Sequence, residues 1–583
     1  MEQAGGTLER RRRILFIAAV FAANFLGILL YYRRLIPMHY SIDTWAEIVA
    51  PEANRQTCYM DGRFLYALFR LAMEKMGLSV AVNQSLFTAL YMVITAALLT
   101  FLLYKAVPAF AQGRKGRLWR LAVAAVFLAL FLSVNNVFIL EYYLFPECMM
   151  MYAGSVVGAA LGGYAVSRGL SVRSVLLSFL FCFVCVSNYQ IGIGMYVVWG
   201  MTFIFLEDRG TFSRKAGAQL AALLAIGAAN SLLNPALVKM GASLGWWNPP
   251  SREASLSLQT MLQNAGEILQ FQKELFVESY GFLSRSFLLV MVVLLALLFV
   301  GLCVLRKIGL RTAVLTVLYA ALGYAAVYIP QLATESFWPS PRLMTPFFVW
   351  LSMAMMMVLY YYCAEDEVWV RCSAALAGEP GTMAQGGPEI AAQDAARWQS
   401  GGAAACGEAE REAQAERARL LNLLLTRRTV ALVGIGGILV IGCACFLAGG
   451  SHCNEIIGDH LLSNRTDIAE AQAVGQEIWK YEQETGVTVT KFACAADAAP
   501  TNVAAGVDRH CYDINRRAWL ISWAALPMVN TVNGLQLTAA EMPPEVFDAH
   551  FKDQNWDSFD VGRQLVIEGD TAYLAIYWRR SVP

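Results

Sequence analysis

Phe287-Leu-Leu-Val-Met-Val-Val-Leu-Leu-Ala-Leu-Leu-Phe-Val-Gly-Leu-Cys-Val-Leu305 runs without a charge and is followed at once by Arg306 and Lys307. A helix needs roughly 20 apolar residues to cross a hydrocarbon layer about 30 Å thick. The apolar segment 283–305 is of that kind, and ten others resemble it: 14–32, 84–107, 118–138, 147–167, 174–190, 191–206, 216–233, 312–330, 343–363 and 429–449. The pair 174–190 and 191–206 reads either as a tight hairpin or as one span with a re-entrant piece. Segment 14–32 runs into Tyr31-Tyr32-Arg33-Arg34 without a small-residue cleavage site, which predicts a retained first span.

Composition agrees. The 583 residues are 57% hydrophobic and 15% charged, against about 45–50% and about 25% in a soluble domain. The fold class expected is a polytopic α-helical membrane protein with about eleven transmembrane helices and a small C-terminal α/β domain. A net charge of +1 makes no case for nucleic acid. Most of the thirteen cysteines lie in apolar runs, where a small buried hydrophobe is the ordinary role. Cys182 and Cys185 have zinc-ligand spacing but sit mid-span with no second pair, so no metal is assigned.

The basic residues after Leu305 also orient the chain. Lys and Arg mark cytoplasmic loops. Arg10 to Arg13 precede the first span, Lys105 to Arg120 lie between the second and third, and Arg168, Arg173, Arg209, Arg214, Lys215, Arg306, Lys307 and Arg311 fall in alternate turns. Loops 135–147 and 187–192 carry none, and 331–342 carries only Arg342. The N-terminus is therefore expected in the cytoplasm and the C-terminus outside, although Arg33 and Arg34 run locally against the rule. Four regions follow: a membrane domain at 1–363, a cytoplasmic linker with a charged helix at 364–428, a last span at 429–449 and an extracytoplasmic α/β domain at 450–583. The linker is rich in Ala, Glu, Gln and Gly, which predicts disorder up to a helix over roughly 407–427. In the last region Ile468–Tyr481 reads as a helix. Strands are expected near 487–494, 518–523, 564–567 and 571–578, with turns at Asn533-Gly534 and Glu568-Gly569-Asp570. Cys494 and Cys511 flank a polar loop in a compartment where disulfides persist.

Two amphipathic segments are expected outside. In 63–76, Phe64, Leu65, Leu68, Phe69, Ala72 and Met76 share a face; in 254–278, Leu258, Met261, Leu262, Ala265, Leu269 and Phe276 do. Each fits a helix lying in the headgroup plane or one packed on the spans.

Candidate chemistry gathers in the same outer loops. Met38-His39-Tyr40-Ser41-Ile42-Asp43-Thr44-Trp45-Ala46-Glu47 places two acids one helical turn apart, with His39 and Trp45 beside them. A partly desolvated carboxylate there is suited to act as a general base. Glu141, Tyr142, Glu147 and Glu335 stand at span ends, where charge is costly unless used or paired. Arg342 suits a phosphate or carboxylate, or anchors the span, and Trp338 fits an aromatic belt. The cytoplasmic side offers no Gly-rich phosphate loop.

Tyr40-Ser41-Ile42-Asp43-Thr44-Trp45, then Asp61-Gly62-Arg63-Phe64-Leu65, then Glu335-Ser-Phe-Trp338-Pro-Ser-Pro341-Arg342 together resemble the bacterial type II Gtr glucosyltransferase family over roughly 1–363. The resemblance implies a GT-C-like membrane enzyme. Such an enzyme takes a sugar, a hexose such as glucose, from a polyprenyl-phosphate carrier and adds it to a cell-surface glycan on the outer face of the bacterial cytoplasmic membrane. Its partners would be the lipid-linked donor, the glycan acceptor and membrane lipid. An acid in the first outer loop is commonly catalytic in that superfamily, and Asp43 matches it, with Glu47 as neighbour or substitute. His39, Trp45, Arg63, Glu141, Tyr142, Glu147, Glu335, Trp338 and Arg342 would line the substrates. No cofactor is called for. No clean DxD stands in the first loop, so the use of a divalent metal stays open. A transporter or flippase of a lipid-linked glycan, a polymerase or ligase of surface polysaccharide, and a non-enzymatic anchor for the tail are the competing readings.

Overall fold

The computed structural model describes residues 2–110, 117–249, 257–306, 308–332, 334, 337–363, 403–496, 514, 516–552, 554 and 558–576. All eleven apolar runs are helical. In chain order the helices are α1 (Glu2–Tyr32), α2 (Ile42–Val49), α3 (Pro51–Met60), α4 (Phe64–Lys75), α5 (Gln84–Phe110), α6 (Arg117–Val134), α7 (Leu140–Leu144), α8 (Met149–Ser167), α9 (Val172–Asn188), α10 (Gly192–Glu207), α11 (Arg214–Ser243), α12 (Leu258–Lys273), α13 (Phe287–Arg306), α14 (Leu310–Ala326), α15 (Ile329–Leu332) and α16 (Thr345–Cys363). They continue with α17 (Ala403–Thr485), α18 (Ser522–Asn533), α19 (Pro544–His550) and α20 (Val561–Gln564).

Among the described residues, seven stretches are long and apolar enough to cross a membrane: Arg10–Leu35, Gln84–Phe110, Pro146–Ser167, Arg214–Ser243, Phe287–Leu305, Pro341–Cys363 and Thr429–Thr485. The other four expected spans are shorter apolar helices, Leu118–Val134, Val172–Asn188, Gly192–Glu207 and Leu310–Ala326. At about 1.5 Å rise per residue, 17 residues reach only about 25 Å. Eleven full-length spans are thus replaced by seven of membrane length and four short ones.

α8, α9 and α10 pack most closely, and small residues are the reason. A Cβ at Gly158 would meet the Cys185 nitrogen and the Phe181 carbonyl at 2.7 Å, and one at Gly163 would meet the Gly200 nitrogen at 2.6 Å. Without side chains, backbones approach directly, which is how helices associate where no water drives them together. α9 and α10 are joined by Tyr189-Gln190-Ile191, the tight connection of the first of the two alternatives posed for this pair. Cys182 and Cys185 are buried and unbridged.

The loops sort to opposite ends of the bundle. At one end Arg13 lies over the Tyr104 ring, Lys105 over Tyr164, Arg168 pairs with Glu207, and the Tyr361 hydroxyl donates to the Gly210 carbonyl. At the other end α2 to α4, the 135–147 loop, α12 and the 331–342 loop meet. There the Asn264 amide donates to the Gln331 and Thr334 carbonyls, and the Tyr280 hydroxyl to the Pro339 carbonyl. The amphipathic helices are inverted with respect to simple core packing. α4 buries Tyr66, Ala67 and Arg70 and exposes Leu68 and Met76, while α12 buries Asn264, Ile268 and Phe271 and exposes Leu258, Leu262 and Leu269. Each is packed on the chain by one face, as the second alternative posed for them has it, and presents leucines outward by the other.

The last helix does not end at Gly450. α17 continues unbroken to Thr485, crossing the boundaries expected at 428/429 and 449/450, and the charged helix expected over 407–427 is its first part. From Thr429 to Thr485 it rises about 85 Å, far more than a bilayer takes, so its later half stands clear of the apolar segment. Beyond it lies a four-stranded sheet in the order β2-β1-β4-β3, with β1 at Lys491–Ala496, β2 at Thr538–Ala539, β3 at Leu565–Glu568 and β4 at Thr571–Ile576. β1 pairs parallel with β2 and β4; β3 and β4 form a hairpin turning at Gly569. The strand expected at 518–523 is instead a 3-10 turn (Ala518–Leu520) leading into α18. The run Trp-Ala-Ala-Leu favours helix once it packs on α17, and Asn533-Gly534 closes α18 with Gly534 at φ +65. The linker 364–402, Cys511, Trp556, Tyr577 and Trp578 lie outside the described residues, and so does the proposed Cys494–Cys511 bridge.

Candidate active site

The quoted outer turn folds for a local reason. Ser41 is the N-cap of α2: its hydroxyl accepts from the Asp43 and Thr44 backbone amides at 3.1 and 3.0 Å, and the Thr44 hydroxyl accepts from the Ser41 amide at 2.9 Å. This reciprocal cap satisfies donors the first turn leaves open. It also fixes Asp43 in that turn, half-buried, where the positive end of the helix dipole favours negative charge.

Glu147 lies beneath the cap. Its Oε1 accepts from the Ser41 hydroxyl at 2.7 Å and its Oε2 from the Thr44 hydroxyl at 2.8 Å. The carboxylate is nearly inaccessible, and the Tyr66 hydroxyl holds the Glu147 carbonyl. Glu147 and Asp43 are within electrostatic reach of each other. Arg342 lies over the ring of Phe145, two residues before Glu147, and Arg63 lies over Tyr189, which meets Tyr142 of the same loop edge-on at 5.9 Å. Residues from four separate loops therefore converge around the short 3-10 turn Pro146–Cys148.

The cationic side of the cluster is equally built. Asp61-Gly62-Arg63 turns at Gly62, φ +73, and a Cβ there would meet Asn234 Oδ1 at 2.3 Å; the Asn234 amide donates to the Gly62 carbonyl at 2.8 Å. Only glycine fits both the conformation and the space. The turn aims Arg63 at Asp61 (3.1 Å) and over the Tyr189 ring (5.3 Å), and its Nε has no hydrogen bond among the described residues. Arg342 binds Glu141 twice, through its backbone amide at 2.8 Å and its Nη1 at 2.5 Å, and lies over Phe145. About a quarter of its side chain remains exposed. Tyr142 donates to the Arg342 carbonyl at 3.2 Å and stacks on Tyr152.

The remaining candidates are placed differently. Glu47 is buried in an ion pair with Arg70, whose Nη2 also reaches the Pro51 carbonyl; burial raises its carboxyl pKa, opposed by that guanidinium. His39 is buried, its ring bonded to the Tyr143 and Pro37 carbonyls and edge-on to His460, and burial lowers its pKa. Trp45 is 2% exposed and stacked under Tyr40. Trp338 is 44% exposed. Glu335 lies outside the described residues. Among those residues no group of three or more His, Cys, Asp or Glu is arranged to hold a metal.

Sequence reasoning missed three contributors. Arg70, off the apolar face of 63–76, has no role in the sequence reading. Ser41 and Thr44 were quoted but given no role, although their spacing is that of a capping pair. The tail's aromatics, Trp523 among them, read from the sequence as stacking surfaces for an acceptor glycan or, for most of them, as core, but the tail's grip on this turn was missed. Asn464 of α17 accepts from the Tyr40 amide and donates to the Tyr40 carbonyl, and the Trp523 indole of α18 donates to Asp43 Oδ1 at 3.1 Å.

No curated protein and no solved structure matches the chain. The family model described as Glucosyl transferase GtrII matches residues 33–359, more than half of the chain, with Asp43, Arg63, Glu147 and Arg342 inside the match. That match carries a glycosyltransferase activity, with a sugar donor and an acceptor. The chain belongs to the GtrII glucosyl transferase family.

Proposed function

We propose that the chain transfers a hexose from a polyprenyl-phosphate carrier to a cell-surface glycan, at the outer face of the bacterial cytoplasmic membrane. The observation that carries the reading is geometric: Ser41 links the Asp43 turn to Glu147, Arg342 lies over Phe145 of the same loop as Glu147, and Arg63 lies over Tyr189, which is edge-on to Tyr142 of that loop. Asp43 is the general base. It takes the proton of an acceptor hydroxyl as that oxygen bonds to the anomeric carbon and the carbon–oxygen bond to the phosphate breaks. Glu147, held by two hydroxyls, positions the Asp43 turn through Ser41. Arg63 and Arg342 bind the departing phosphate, which leaves attached to its lipid. The outward leucines of α4 and α12 support placing this end at headgroup level. Glu47, paired with Arg70, has a structural part in this scheme, as do His39 and Trp45.

Comparison of surface glycan by mass spectrometry, with and without the protein, tests the reading. A hexose-sized increment that disappears with the protein supports it. A glycan unchanged in composition but retained on the cytoplasmic side would favour a flippase, and loss of whole repeat blocks a polymerase.

A further inference from the structure

The family match ends at residue 359, but the candidate base does not stand alone there. α18 packs along α2 and brings Trp523 onto Asp43. The indole N–H is spent on the carboxylate, which fixes the ring edge-on to the acid. The rest of the ring is open: Trp523 is 54% exposed, in a helix whose Ala524, Ala525, Met528 and Val529 are buried. A tryptophan tied by its polar edge and bare on its faces offers an apolar surface to a partner, beside the group that must meet an acceptor hydroxyl. A general base works within about 2.6–3.2 Å of the proton it takes. A pyranose that delivers a hydroxyl to Asp43 from the side of the indole would lie against this ring.

We propose that Trp523 forms an acceptor-sugar subsite, so that the C-terminal domain supplies the acceptor side of the active site while the membrane domain supplies the donor side. The inference rests on the reading of Asp43 as base and deepens it. The donor phosphate is held by arginines on the membrane helices and loops; the acceptor, a pyranose unit of a glycan, is recognised by stacking on the C–H face of the sugar. Asn464 keeps the two halves in register through Tyr40.

The test uses the full chain in vesicles, with hexosyl-phosphoryl-polyprenol as donor and surface polysaccharide from cells lacking the protein as acceptor. Trp523→Ala removes both platform and hydrogen bond; Trp523→Phe keeps a platform alone. The acceptor KM is expected to rise roughly ten-fold in the alanine variant, about 1.4 kcal/mol, and less in the phenylalanine variant, with the donor KM little changed. An unchanged acceptor KM in the alanine variant overturns the subsite. Equal rises in donor and acceptor KM, with weaker membrane association, would make Trp523 an interfacial anchor and overturn it too. Asp43→Asn separates the premises: if that variant transfers at the normal rate, the base assignment fails, whereas its inactivity beside a normal Trp523→Ala variant fails the subsite alone.

Discussion

Asp43 is set by three things at once: the amino end of α2, a buried carboxylate two hydrogen bonds away, and an indole from a distant domain. Each acts on the same turn, so substitutions there separate chemistry from scaffolding. Asp43→Asn keeps the size and the Trp523 contact but removes the base. Transfer should fall roughly 100- to 10,000-fold, the usual span for a lost general base, with membrane expression unchanged; labelled-hexose transfer in vesicles reads it. Glu147→Ala takes away the carboxylate that accepts from both the Ser41 and Thr44 hydroxyls and leaves them only each other, 2.9 Å apart, at a cost of about 1–3 kcal/mol for the one left unpaired. Activity and thermal stability should fall together in that variant, and Glu147→Gln, which keeps an acceptor oxygen, should recover part of both. The turn that carries Asp43 stood out in the sequence because acids and aromatics beside a span have few structural uses. Its partners did not: Glu147 is 103 and 106 residues from the hydroxyls that bind it, and Trp523 is 480 from Asp43. Local pattern carries no information about which distant loop a turn will meet.

Among the elements, the apolar runs were legible because crossing a bilayer needs an uninterrupted length, and length is visible in sequence. Whether each run is long enough was less so. α6, α9, α10 and α14 are apolar but short, and their packing depends on glycines whose partners lie on other helices. Gly158 gives the sharpest case, since a Cβ there meets backbone on α9, which has no side chain to turn aside. Gly158→Val should separate α8 from α9 and cost about 1–3 kcal/mol as overpacking does, seen as a lower unfolding temperature of the detergent-solubilised protein. Gly217→Val is the matching control, because nothing lies within 4 Å of a Cβ at that position. The expected strand at 518–523 failed for a related reason. An apolar hexapeptide fits strand or helix, and contact with α17, not its own pattern, decides.

For the molecule as a whole, the folded part of the tail is bound to the far half of α17 by a buried charge cluster, while α17 and α18 meet the Asp43 turn. Arg517 lies between Asp467 and Glu470 on α17, bonded to both, and Trp519 donates to Glu470 at 2.8 Å. One guanidinium serves two buried carboxylates, so the second holds its proton longer: burial pushes Glu470 up to about 7 from 4.5. The sign follows from linkage. Between about 4.5 and 7 the folded chain binds more protons than the unfolded one, so stability is greatest below that window and declines as pH rises through it. Limited proteolysis of the tail should therefore quicken between pH 5 and 8. Glu470→Gln, which carries no charge at any pH, should flatten that dependence while leaving the tail docked.

The unbroken α17 has a consequence of phase. Each residue of a helix turns the chain by about 100° and advances it about 1.5 Å, so the azimuth at which Asn464 meets Tyr40 is dictated by the number of residues between the apolar segment and that contact. One residue gained or lost after Gly450 would swing Asn464, Asp467 and Glu470 to another side of the rod. Seven would restore the azimuth to within about 20° but lift the tail about 10 Å. The stretch from 450 to 464 is therefore a counted interval, whose length is under a stricter constraint than the identity of most residues within it.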